Sequence, residues 1–226
     1  MRLLLVAATE LEIAPLVARL MPTAPPSDRP GTFTHTSHHV DVLTTGVGMV
    51  ATATWCARTL ARRSYDLALN LGVCGSFVAA YPPGTVVNVV SDCFPELGAE
   101  DGDRFLTVHQ LGLSGLDDAP FGGGRLMNPE PASHAVVAAL PAVSGITVNT
   151  VHGNAESIAR VVERYRPDVE TMEGAAFMYA CAIEGVRYAQ LRAVSNIVEK
   201  RNRQAWKLDE AVAALGETAL AVIAQL

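Results

Sequence analysis

The 226-residue sequence has no apolar run long enough to cross a bilayer. Its most apolar stretch, LALNLGVCGSFVAAY at 67–81, is broken by Asn70, Gly72 and Gly75 and falls short of the roughly 20 residues a membrane helix needs. No membrane partner is expected. The opening MRLLLVAATELEIAPL lacks the make-up of a secretory leader, because its apolar core is brief and Glu10 and Glu12 follow at once. It reads as a first strand, and the chain is expected in the cytoplasm. A basic excess is missing too. With 17 Lys and Arg against 23 Asp and Glu, the formal net charge of −6 argues against a nucleic-acid partner, which needs a cationic face to meet phosphates. A small-molecule ligand is expected instead. Cys56, Cys74, Cys93 and Cys181 form no C-x-x-C pair and have no His at metal-ligand spacing, so buried reduced thiols are expected and no metal. No internal repeat at a solenoid period is visible.

What is present is core. Half of the residues are hydrophobic and the mean hydropathy is +0.24, which suits a sheet covered on both faces by helices. Strands are predicted at 2–8, 39–45, 67–73, 85–91, 146–151 and 188–194. Helices are predicted near 11–21, 48–63, 132–140, 155–165, 173–185 and 207–225. That alternation predicts an α/β fold with a largely parallel sheet in a single domain over 1–226. MPTAPPSDRPGT (21–32) and FGGGR (121–125) read as loops, 92–131 shows little periodicity, and the doublet His38, His39 reads as a surface turn.

Ligands of open α/β sheets gather at the carboxyl ends of strands, which selects four places. In TELE (9–12), Thr9 and Glu12 form a T-x-x-E capping box; the sharper reading makes Glu12 a general base that takes a proton from water. In TTGVGMVA (44–51), Gly46, Gly48 and Ala51 match G-x-G-x-x-A with Asp66 twenty residues past Gly46, a dinucleotide fingerprint. The loop equally allows backbone approach to another ligand. In NLGVCGSF (70–77), the glycines read as a tight turn after a strand, or as close backbone approach of Gly72 and Val73 to a ligand. In VETMEGAAFMYACA (169–182), Glu173 stands in an apolar segment where a carboxylate is costly without partners. It is a helix N-terminal charge or an acceptor for ligand hydroxyls. Arg192 lies inside the last strand, where Glu12 or Glu173 must answer it, and LRAVSN (191–196) ends on Asn196.

Taken in order, AATELE, TGVGMVATA, NLGVCGS, and ETMEGAA followed by RAVSN resemble the purine nucleoside phosphorylase and nucleosidase superfamily, above all its hydrolase branch, over nearly the whole chain. The run RAVSNIVEKRNRQAWKL (192–208) most resembles the futalosine hydrolases of the alternative menaquinone pathway. The resemblance implies a three-layer α/β/α sandwich around a mixed, largely parallel sheet, a nucleoside substrate, no cofactor, and a homodimer or higher homo-oligomer. It further implies that Glu12 activates water, Met172 and Glu173 hold the ribose, Arg192 helps position the nucleophile and Asn196 holds the base. The residue types fit: breaking an N-glycosidic bond builds positive charge on the sugar and negative charge on the base. Adenine-specific members carry Asp where Asn196 stands, so an amide that donates to O6 points to a 6-oxopurine. Val73 replaces a small hydroxyl residue, leaving only its backbone for contacts. In EKRNRQAW (199–206), Lys200, Arg201, Arg203 and Trp206 are either a solvated loop or a lid for an acidic aromatic tail. In NTVHGNAES (149–157), Asn154 is a candidate substrate contact, while the lone His152 reads as structural. A phosphorylase on inosine-like nucleosides, a non-catalytic nucleoside binder and a nicotinamide oxidoreductase are the competing readings.

Overall fold

A computed structural model of the protein describes residues 1–20, 31–35, 38–128 and 134–226. Most of the predicted 21–32 loop and the start of the predicted 132–140 helix lie outside these. The chain runs β1 (Arg2–Ala7), α1 (Glu10–Leu20), β2 (Gly31–His35), β3 (His38–Thr44), α2 (Met49–Leu60), β4 (Leu67–Ser76), β5 (Val86–Asp92), β6 (Gly98–Asp101), β7 (Arg104–Thr107), β8 (Phe121–Gly122) and β9 (Arg125–Met127). It continues through α3 (Ala135–Ala139), β10 (Ala142–Thr147), α4 (Ala155–Tyr165), β11 (Val169–Thr171), α5 (Gly174–Glu184), β12 (Tyr188–Ile197) and α6 (Leu208–Ala224).

Alternation along β1 builds the three layers. Leu3, Leu5 and Ala7 pack with Ile13, Leu16 and Leu20 of α1 and Leu215, Ala219 and Val222 of α6; Leu4 and Val6 pack with Cys56 and Leu60 of α2 and Phe177, Met178 and Cys181 of α5. Both faces of one strand are therefore buried, as the apolar composition predicts. At roughly 25 cal/mol per Å² such two-sided burial is the main stabilising term. Burial lifts Cys56, Cys74 and Cys93 to about 12, and all four cysteines are free and buried.

The sheet is mixed. β1 pairs in parallel with β3 and β4, and β4 in parallel with β12, while β12 meets β5 antiparallel and β4 meets β11 antiparallel. Since β5 pairs β10 and β10 pairs β11, the strands β4, β12, β5, β10 and β11 close into a ring. A ring leaves these strands no open edge.

Three expectations change. NLGVCGS is not a turn: β4 runs through both glycines to Ser76. FGGGR is the tip of the β8–β9 hairpin, with Gly123 and Gly124 at φ of 61° and 75°, the positive values a two-residue hairpin turn requires. The His38, His39 doublet lies in β3, with His38 buried. Its imidazole takes an inward position of the strand pleat.

Candidate active site

Glu12 sits in the first turn of α1 and is 8% exposed. Its Oε2 accepts from the Thr9 amide at 3.0 Å and the Thr9 hydroxyl at 2.8 Å, and its Oε1 accepts from the Val73 amide at 3.1 Å. Only part of a capping box forms, because the Thr9 hydroxyl donates to the carboxylate. Three donors hold the carboxylate against β4. The Val73 amide, read from sequence as open to a ligand, is thus engaged by Glu12.

Gly72 on β4 stands opposite Arg192 on β12 in the parallel register. A Cβ at position 72 would overlap Arg192 Nη1 and lie 2.8 Å from Glu12 Oε1, so glycine opens the space in which acid and base side chains meet. Arg192 is fully buried. Its Nη1 is 4.0 Å from Glu173 Oε2, and its Nε and Nη2 have no hydrogen-bond partner among the described residues. Buried donors without acceptors are costly, and here they are available to a ligand oxygen. The sequence left open which glutamate answers Arg192; the structure brings both to it.

Glu173 precedes α5, with half-buried Met172 beside it between β11 and the helix. Its Oε1 accepts from the Gly48 amide at 2.9 Å. Gly46 and Gly48, at φ of 90° and 96°, shape the loop that aims this amide, with Gly46 tied to Ala8 O. Burial raises the Glu173 carboxyl above its ordinary range, Arg192 and the Gly48 amide pull against that, and the Glu12 charge adds to the rise.

The dinucleotide fingerprint dissolves in the same geometry. Asp66 accepts from the Arg2 amide at the start of β1, whereas Gly46 bonds Ala8 past its end. A six-residue strand, roughly 3.3 Å per residue, separates the glycine loop from its supposed acid.

Beneath Glu173 lies a buried polar network absent from the sequence reading. Asp92 accepts from the Cys93 amide, the Thr147 hydroxyl and Gln190 Nε2, while Thr147 Oγ1 accepts from the Ala175 amide at 2.7 Å and Thr171 Oγ1 from the Gly174 amide. These side chains cap the start of α5 from β10 and β11. Burial pushes Asp92 up to about 6.

β12 does not stop at Asn196. Its pairing with β4 slips by one residue between Val194 and Asn196, a bulge that leaves Ser195 without a partner in the register and turns Asn196 toward a cavity of about 50 Å³. Asn196 Oδ1 accepts from Ser195 Oγ at 2.8 Å, and its Nδ2 donates to Ile197 O at 3.0 Å. Gly75, His152, Glu170, Arg201 and Trp206 share the cavity wall. Arg201 stacks on Trp206 at 5.5 Å, and Lys207 N bonds Ser195 O, tying this loop to the bulge. Lys200 and Arg203 are exposed and do not line the cavity.

Asn154 is not brought to this cavity. Its Oδ1 accepts from the Glu156 and Ser157 amides as the N-cap of α4, a role that an Asn just before a helical pattern signals. His152, read from sequence as structural, has its Nδ1 2.6 Å from Glu170 Oε2. Among the described residues, no group of three or more His, Cys, Asp or Glu could hold a metal ion, and no helix is long and apolar enough to cross a membrane.

A model of the phosphorylase superfamily matches residues 2–225. The futalosine hydrolase of Streptomyces coelicolor is 37% identical, the match covering 95% of this chain and 92% of that protein. The futalosine hydrolase of Thermus thermophilus is 30% identical over 81% of this chain and 80% of its own length. Among solved structures, futalosine hydrolase of Helicobacter pylori superposes with a TM-score of 0.82 at 13% identity, covering 100% of this chain and 98% of that one. The 5'-methylthioadenosine/S-adenosylhomocysteine nucleosidase of Colwellia psychrerythraea, in complex with adenine, also gives 0.82, at 20% identity and 100% and 96% coverage.

Proposed function

The chain belongs to the phosphorylase superfamily, and we propose that within it this protein is a hydrolase cleaving the N-glycosidic bond of futalosine, with hypoxanthine as the released base. The observation that carries the chemistry is the meeting of Glu12 and Arg192 over Gly72, with Glu173 4.0 Å from the guanidinium. Glu12 takes the proton of a water aimed at the anomeric carbon. Arg192 helps place that water through the donors it has free. Glu173 accepts from the ribose hydroxyls beside Met172, where its charge also favours the positive sugar of the transition state. Asn196, at the bulge, faces the base.

Water is favoured over phosphate as the nucleophile because two carboxylates flank the buried Arg192 guanidinium, and their charge repels a phosphate dianion. The match along residues 2–225 supports one domain over the full 1–226. The reading also includes a cytoplasmic enzyme and a homodimer or higher homo-oligomer. Exposed Leu11, Val47 and Val50 on the segments that carry Glu12 and Gly48 support the latter.

The test is release of free base from futalosine, aminofutalosine and inosine, with and without phosphate. Phosphate-independent release of hypoxanthine from futalosine, and not from inosine, is the expected result. Strict dependence on phosphate would replace the hydrolase by a phosphorylase. Glu12→Gln should lower kcat by about 10³-fold, within the range of a lost general base, while futalosine still binds.

A further inference from the structure

Asn196 leaves one part of the reaction without an agent. As the glycosidic bond breaks, its electron pair moves into the base, which departs faster if a ring nitrogen takes a proton. An asparagine amide has no proton to give. The ionisable groups around the adjoining cavity are His152, Glu170, Glu199 and Arg201. Arg201 keeps its proton at any working pH, and Glu199 is exposed.

His152 and Glu170 remain, and they are bound to each other. His152 Nδ1 is 2.6 Å from Glu170 Oε2, and the His152 amide donates to Oε1 and Oε2 at 3.1 and 3.3 Å. Glu170, 4% exposed, lies on β11 opposite Gly75 of β4. A Cβ at Gly75 would be 3.4 Å from Asn196 Nδ2 and 3.5 Å from Glu170 Cγ, so carboxylate and base-binding amide flank the same point. An ionised carboxylate only accepts, hence Nδ1 carries a hydrogen and the exchangeable proton belongs to Nε2. Nε2 makes no hydrogen bond among the described residues, and Phe77 meets the ring edge-on at 6.2 Å.

We propose that His152, held by Glu170, is the general acid that protonates the departing purine. The imidazolium gives its Nε2 proton to N7 as the C1′–N9 pair withdraws into the base. Water adds to C1′ and loses a proton to Glu12. Exchange with solvent then restores His152 and clears Glu12, so the sum is nucleoside plus water giving free base and sugar. This rests on the hydrolase reading above. On its other flank His152 borders a cleft of about 740 Å³ whose charged residues, Glu96, Glu100, Asp103, Arg104, Arg160 and Arg164, are three of each sign. Glu170 is the charged group in direct contact with the imidazole.

The test compares futalosine with N7-methylated futalosine, whose base leaves neutral with no proton required. His152→Gln should lose about 100-fold in kcat on futalosine and show little change on the methylated substrate, whose turnover also reports an intact fold. The alkaline fall in kcat/KM of the unaltered enzyme should vanish in this variant. Equal losses on both substrates, or an alkaline limb that His152→Gln leaves in place, would overturn the proposal. Hypoxanthine release by the unaltered enzyme tests the substrate separately, so the two failures are distinguishable.

Discussion

A single missing methyl group organises the proposed catalytic side of this site. Gly72→Ala inserts a Cβ where Arg192 Nη1 now sits and 2.8 Å from Glu12 Oε1. Both obstacles are the far ends of side chains, so the fold should lose only about 1–3 kcal/mol, as overpacking costs. Displacing both groups by about 1 Å should cost roughly 100-fold in kcat. Steady-state kinetics beside urea unfolding would separate the two, and an unchanged kcat in the folded variant would deny Gly72 its spacing role. On the base side, Asn196→Asp should raise the ratio of kcat/KM for aminofutalosine over futalosine by about tenfold or more, since a carboxylate accepts from an exocyclic amine and repels O6. An unchanged ratio would leave Asn196 only its bonds to Ser195 and Ile197. Glu173 and Arg192 were legible because a charge inside an apolar run demands partners, and Glu12 because it follows a strand end in a T-x-x-E pattern. The pairing of His152 with Glu170 was not, because 18 residues and the whole of α4 separate the two.

At the scale of elements, helices with a clean 3.6-residue period were legible almost to the residue: α4 spans Ala155–Tyr165, as its pattern predicts. The short strands were not. β11 has three residues and β6 and β7 four each, too few for an alternation to register. Yet β11 holds Glu170 and Thr171, and its end sets the start of α5. Asp92 supports that junction from β5, and its carboxyl, lifted from 3.8 to about 6, has a pH signature. A folded-state value above the unfolded one means that the native state binds the proton more tightly. This contribution is complete below about pH 3.8 and is lost as pH rises through about 6. The loss is worth about 3 kcal/mol. Asp92→Asn should abolish it, with its new Nδ2 able to donate to Gln190 Oε1, which lacks a partner among the described residues. Urea unfolding at pH 5 and pH 7.5 should show the unaltered protein losing more stability across that interval than the variant. Parallel behaviour of the two would mean that Asp92 ionises normally in the folded state.

For the whole molecule, the sequence foretold the layers and not the closure. Alternating burial in β1 is a local signal, but the ring formed when β12 joins β4 to β5 depends on pairings between residues about 100 positions apart, which no window along the chain contains. Closure brings Arg192 opposite Gly72 and leaves the ends of β1 and β3 open, where Leu11, Val47 and Val50 are 54, 56 and 76% exposed. Exposed aliphatic side chains on two neighbouring segments, joined by the bond from the Gly46 amide to Ala8 O, make this a surface where a second copy would bury apolar area beside the site. Val50→Glu tests it cleanly. Position 50 is in the first turn of α2, where a carboxylate is favourable to the helix, so the monomer's fold should hold. In a two-fold contact the new charge appears on both partners and is desolvated against its copy, which is strongly unfavourable. Sedimentation velocity should therefore show the unaltered protein as a dimer or larger and Val50→Glu as a monomer with an unchanged circular dichroism spectrum. A variant that still sediments as the unaltered protein would move the contact to another face.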